Sequence, residues 1–221
     1  MVVDRAYRAG ANIIILSDRG VDENHVALPS LLAVSALEQY LVRTRKRTAV
    51  SIVLESAEPR DVHHFATLLG YGARAITPYL AQETIAGLID EGLLDKDYHV
   101  ALDDYNNAIL QGIVKIASKM GISTVQSYQS ARIFEAVGIS KEVIDEYFTG
   151  TVSRVGGIGL DEIAQLVDHN HSRAFDPLGL GTDLTLDSMG AHKARAGYED
   201  HMYNPQTIHL LQEATRRGDY E

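Results

Sequence analysis

Two polar clusters stand directly after runs rich in β-branched residues. Ser17-Asp18-Arg19 follows Ile13-Ile14-Ile15-Leu16, and Glu55 follows the stretch Val50 to Leu54. In parallel α/β folds the loops at strand C-termini build sites, so two carboxylates and a guanidinium there could bind and polarise a small substrate. Ser17, Asp18, Arg19 and Glu55 could equally be an ion-pair set that ties strand ends together, and the residues alone leave both readings open. Other chemistry is weaker. His169 and His171 flank Asn170 beside Asp168, a partial metal set without a visible third ligand. His63 and His64 are adjacent, so on a helix they point about 100° apart and cannot chelate together. Gly157-Ile158-Gly159-Leu160-Asp161-Glu162 begins like a dinucleotide fingerprint, but Glu fills the last glycine position and no clear strand precedes it. Such glycines read as a tight turn before a helix, and the acidic helix start would repel phosphate. No Ser or Thr sits in a G-x-S-x-G elbow, so no nucleophile–base–orienter set assembles.

The chain has no cysteine, which excludes disulfides, thiolate nucleophiles and iron–sulfur ligation by its own residues. A net charge of −10 disfavours nucleic acid as a partner. The one basic cluster, Arg43, Arg45, Lys46 and Arg47, falls where a helix C-terminus is expected and complements its dipole. No apolar run approaches the ~20 residues of a membrane helix. The start, Met1 to Arg5, has no signal-peptide pattern, so the expected location is cytoplasmic, or an organelle interior if a targeting segment lies elsewhere.

The elements that must position these residues alternate. Strands are expected at 13–16, 50–54, 75–77 and 124–127, and helices at 30–43, 61–69, 80–90, 103–119, 130–137 and 140–147. The order β-α-β-α implies an α/β fold with neighbouring parallel strands, a partial or rudimentary (β/α) barrel-like module or an open sheet, with the 103–119 helix on the sheet. After Gly150 a helix is expected from Leu160 to about Val167, then a Gly/Asp/Ser-rich linker over 175–203. Asn204-Pro205 opens a last helix, 206–215. The expected division is an α/β module at 1–174, the linker, and the first helix of a further domain at 204–221.

Several ordered stretches resemble the large subunit of the glutamate synthase family. They include Ile14 to Gly20, Leu28 to Val34, Val62-His63-His64-Phe65-Ala66 with Leu69 to Ala73, and Ser118 to Thr124. Gln126-Ser127-Tyr128, Ile133 to Ala136, Tyr147 to Thr151, Ser153-Arg154 with Gly156 to Gly159, and Tyr203-Asn204-Pro205 with Thr207-Ile208 follow in family order. Gln111-Gly112 stands where the family has Lys-Gly, and Ala194 to His201 is a looser version of its counterpart. The resemblance implies a piece of the central domain with the start of the synthase domain, a structural linker and ammonia-conduit scaffold that is inactive alone. It implies no cofactor here, with flavin mononucleotide (FMN) and an iron–sulfur cluster expected elsewhere in the parent enzyme. The implied partners are the amidotransferase and FMN-binding domains of the same polypeptide, with homo-oligomerisation open. The rival readings are a stand-alone small-molecule enzyme using Asp18, Arg19 and Glu55, and a pure interaction module.

Overall fold

The computed structural model describes residues 2–176 and 202–218. Three strands, β1 (Ile13–Ser17), β2 (Ser51–Glu55) and β3 (Ala73–Thr77), form a parallel sheet in that order. Register places Ser17 opposite Glu55 and Glu55 opposite Thr77, so the three strand ends lie side by side. The crossovers run through α2 (Ser30–Arg43) and α3 (Val62–Gly70). Val34, Leu37 and Leu41 recur at helical spacing on α2 and pack on Ile52 and Leu54 of β2 and on Leu68 of α3. That apolar seam is the core, and it covers one sheet face. On the other face Ile13 and Ile15 are exposed. Asp61 caps α3 by accepting from the amides of His63 and His64, while His64 Nδ1 accepts from the amide of Asp61.

α4 (Tyr79–Asp90) and α5 (Tyr98–Lys119) follow, and Asp97 caps α5. α5 packs mainly on α3 and α4 rather than on the sheet as expected, because the α3 layer lies between. Residues 124–127 do not form the expected fourth strand. Thr124 accepts from the amide of Ser127 and starts a short helix, α6 (Val125–Tyr128). Tyr128 is then buried with its hydroxyl donating to Ala66 O at 3.0 Å, and this capped turn overrides the β propensity of Thr124-Val125. The expected 130–137 helix is also absent. Ser130 and Arg132 adopt left-handed backbone (φ 59 and 54), which stops a helix, and β4 (Glu135–Ile139) begins instead.

β4 pairs in parallel with β5 (Val152–Ile158) across α7 (Lys141–Tyr147), forming a second sheet; among the described residues no closed barrel forms. α8 (Leu160–Ala174) runs seven residues beyond its expected end. Two features escaped the sequence reading. α1 (Val2–Arg8) is pinned to the α2 region by Asp4, which pairs with Lys46 and accepts from the Tyr40 hydroxyl at 2.5 Å. Of the incomplete fingerprint, Gly157 lies within β5 and Gly159 caps α8, so a strand does precede the motif. A Cβ on Gly157 would stand 2.2 Å from Gly138 O, so glycine lets the two strands approach. The basic cluster is more than a dipole complement: Arg43 pairs with Glu146 at 3.1 Å, Lys46 with Asp4, and Arg47 with Glu38. Most of the expected linker, 177–201, including Ala194 to His201, lies outside the described residues. α9 (Pro205–Arg217) is an amphipathic helix capped by Asn204, with Gly218 left-handed at its end.

Candidate functional site

All four residues singled out at the strand ends meet at the C-terminal edge of the first sheet, but as two networks. In the first, Ser17 Oγ donates to Glu55 Oε2 at 2.7 Å and Arg19 Nε donates to Glu55 Oε1 at 2.6 Å. Arg19 also reaches Glu83 Oε1 on α4 at 3.4 Å. The Arg19 guanidinium, and then the Ser17 hydroxyl, hold the Glu55 carboxyl below the usual range, and Glu55 in turn raises Arg19. A glutamate so stabilised in its charged form is a poor base, and a serine that donates to it gains no nucleophilic activation.

In the second network Asp18 accepts from Ser56 Oγ at 2.6 Å, from the Ala57 amide at 3.0 Å and from the Tyr79 hydroxyl at 2.7 Å. Asp18 therefore ties the end of β1 to the loop after β2 and to the start of α4 after β3. Arg19 does not pair with Asp18. It stacks over the Tyr79 ring at 4.0 Å and so bridges the two networks through an aromatic face. Ser56, Tyr79 and Glu83 were not anticipated. Extending the strand-end argument to β3 would have reached Tyr79, which follows Pro78 directly.

Burial, and next the bond to Asp18, push the Tyr79 phenol up to about 12 from 10.0. A raised acid stabilises the fold below its ordinary pKa, and that contribution is lost as pH rises through the interval toward 12. Alkaline titration of tyrosinate absorbance should therefore show one phenol ionising near pH 12. Tyr79→Phe should remove that step and flatten the fall in stability between pH 10 and 12. A Tyr79 that ionises with the free phenols would contradict the geometry.

The remaining candidates do not converge. His171 Nε2 meets the carbonyl of Asp22 at 2.8 Å, and no group of three metal-ligating side chains occurs among the described residues. One amide at each of two helix starts is taken by a glutamate of the chain itself. Glu58 Oε2 accepts from the first amide of α2 at 2.7 Å, and Glu162 Oε2 accepts from Gly159 N before α8 at 2.8 Å. No helix among the described residues is long and apolar enough to cross a membrane.

Against this geometry the similarities to known proteins are specific. The family described as "Glutamate synthase central domain" matches residues 1–140. The glutamate synthase (NADPH) large chain of Bacillus subtilis is 51% identical over 217 residues, 98% of this chain and 14% of that protein. Glutamate synthase (NADH) of Schizosaccharomyces pombe is 41% identical over 96% of this chain and 10% of its own length. Ferredoxin-dependent glutamate synthase 2 of Synechocystis is 38% identical over 94% of this chain and 14% of its own. The chain spans a small part of the length of these curated relatives. The ordered stretches from Ile14 to Ala136 fall within the residues that the family matches, and the chain belongs to the glutamate synthase central domain family.

Proposed function

We propose that this chain serves as the central-domain segment of a glutamate synthase, a cytoplasmic scaffold rather than a catalyst. In this reading its partners are the other domains of the same polypeptide. An amidotransferase domain releases ammonia from glutamine, and an FMN- and iron–sulfur-bearing domain uses it with 2-oxoglutarate to form glutamate. This segment would help to seal the route between them, since ammonia that escapes to bulk water is protonated and lost to the reaction. The observation that carries the reading is the strand-end network. Asp18 and Glu55 spend their carboxylate oxygens on neighbouring strand ends, an arrangement that holds loops rather than transforms a substrate.

The iron–sulfur cluster of the parent enzyme does not fit this chain's donors. Iron–sulfur ligation needs thiolates, and the chain has no cysteine. Glu58 and Glu162 each already take one amide, that of Ser30 at the start of α2 and that of Gly159 before α8. Relatives named for NADPH, NADH and ferredoxin share this segment, so we place donor choice elsewhere in the polypeptide. The purified chain should accordingly show no flavin absorbance and should form no glutamate from glutamine and 2-oxoglutarate. A copurifying yellow chromophore, or any glutamate formed, would contradict this reading.

A further inference from the structure

We infer that a cavity walled by the start of α2, α3, β4 and α8 is a binding site for a small aromatic cation, an arylalkylamine by class. This inference stands on its own geometry and does not depend on the role proposed above. The cavity holds about 400 Å³, within the range of small-molecule sites, roughly 300–1,000 Å³. The hydroxyls of its wall are already engaged. The Tyr71 hydroxyl pairs with Thr151 Oγ1 at 2.8 Å, and Thr67 Oγ1 donates to the carbonyls of His63 and His64. Beside the His63 ring and Glu135, the wall offers a ligand apolar surface, much of it aromatic.

That surface is organised. Tyr71 and Phe134 stack with centroids 6.1 Å apart at 28°, while Phe148 stands nearly perpendicular to Tyr71 at 5.3 Å and His63 nearly perpendicular to Phe134 at 5.9 Å. Phe134 lies directly on Gly70, where a Cβ would come within 2.6 Å of the ring. The loop that delivers Phe134 carries two non-glycine residues in the left-handed region, Ser130 and Arg132. Such backbone persists only where the surroundings over-determine it. Here Ser130 Oγ donates to buried Glu38 at 2.8 Å, Gln129 Nε2 donates to Ala73 O at 3.1 Å, and the Arg132 side chain lies against Gly150.

The charge of the ligand follows from Glu135. This residue lines the cavity, is exposed, and its partner Arg154 stands 3.6 Å away with 79% of its side chain in solvent. A carboxylate so loosely paired is open to an incoming ammonium, and the aromatic faces behind it favour the same sign. A ring inside and an ammonium at Glu135 satisfy both features.

The test titrates phenethylamine and its neutral analogue 2-phenylethanol into the 221-residue chain, followed by ligand-observed NMR. Phenethylamine should bind saturably with Kd on the order of 1 mM or tighter. The alcohol should bind about tenfold more weakly. Ala136→Leu, which fills the cavity, should abolish binding in protein with an unchanged circular dichroism spectrum. Glu135→Gln should bring the amine to the level of the alcohol. Because Glu135 is exposed, that variant keeps the test decisive even where Ala136→Leu disturbs folding. No saturable amine binding, binding unchanged by Ala136→Leu, or equal affinity for amine and alcohol would each overturn the inference.

Discussion

Glu38→Ala should lower the stability of the chain by about 3–5 kcal/mol, the largest effect expected from any single side chain discussed. Glu38 lies on α2, 2% exposed, with Oε1 accepting from Arg47 Nε and from Ser130 Oγ. Its Oε2 finds no hydrogen-bond partner among the described residues and is packed against Gly72. A Cβ there would stand 2.6 Å from Oε2, and φ is +117, so that position admits only glycine. One carboxylate thus joins α2, the segment after α2, the turn before β3 and the loop before β4. Removing it leaves Arg47 without its partner, leaves Ser130 without its acceptor and opens a cavity. Urea unfolding should show a lower midpoint with an unchanged slope. Replacing Glu38 and Arg47 together by Met should recover much of the loss, because well-packed apolar groups often replace a buried ion pair at little cost. An alanine variant as stable as the parent would show that the hub carries no weight.

Gly157→Ala should cost about 3 kcal/mol and act on one place. The added methyl would meet Gly138 O, a main-chain atom that cannot rotate away, so the strands themselves must part. Hydrogen exchange should accelerate in β4 and β5 and remain slow in β2, whose Ile52 and Leu54 sit in the core of the other sheet. Gly156→Ala is the internal control. Nothing lies within 4 Å of a Cβ there, so the change should stay within about 0.5 kcal/mol. Equal effects at the two glycines would mean that chain entropy, not close approach, governs both.

These two glycines also show what the sequence could not convey. Gly156 and Gly157 look alike in a Gly-rich string, and only the pairing of β5 with β4 separates a required glycine from a tolerant one. The first three strands and helices α2 to α5 were legible because local signals and burial agree there: β-branched runs paired with helical apolar spacing at Val34, Leu37 and Leu41. From 124 to 139 they conflict. Thr124-Val125 has strand propensity but is taken by a cap and the burial of Tyr128, while Ile133, Phe134 and Val137 imitate helical spacing across a loop broken at Ser130 and Arg132. The gathering of Ser17, Asp18, Arg19 and Glu55 at one edge followed from the strand-end rule. Their division into two networks did not, because it depends on Ser56 and Tyr79, which strand periodicity does not mark.

The measurement that bears most directly on the scaffold role is made in the full-length enzyme with Asp18→Ala. The substitution removes the acceptor shared by Ser56, Ala57 and Tyr79 and so loosens three strand ends together. On protein verified as folded, by thermal denaturation against the parent, ammonia released from glutamine and glutamate formed are both measured. If the strand-end network holds the loops that seal the route, glutamine hydrolysis persists while glutamate formation falls, and the ratio of ammonia to glutamate rises. A ratio unchanged from the parent in folded enzyme would contradict it.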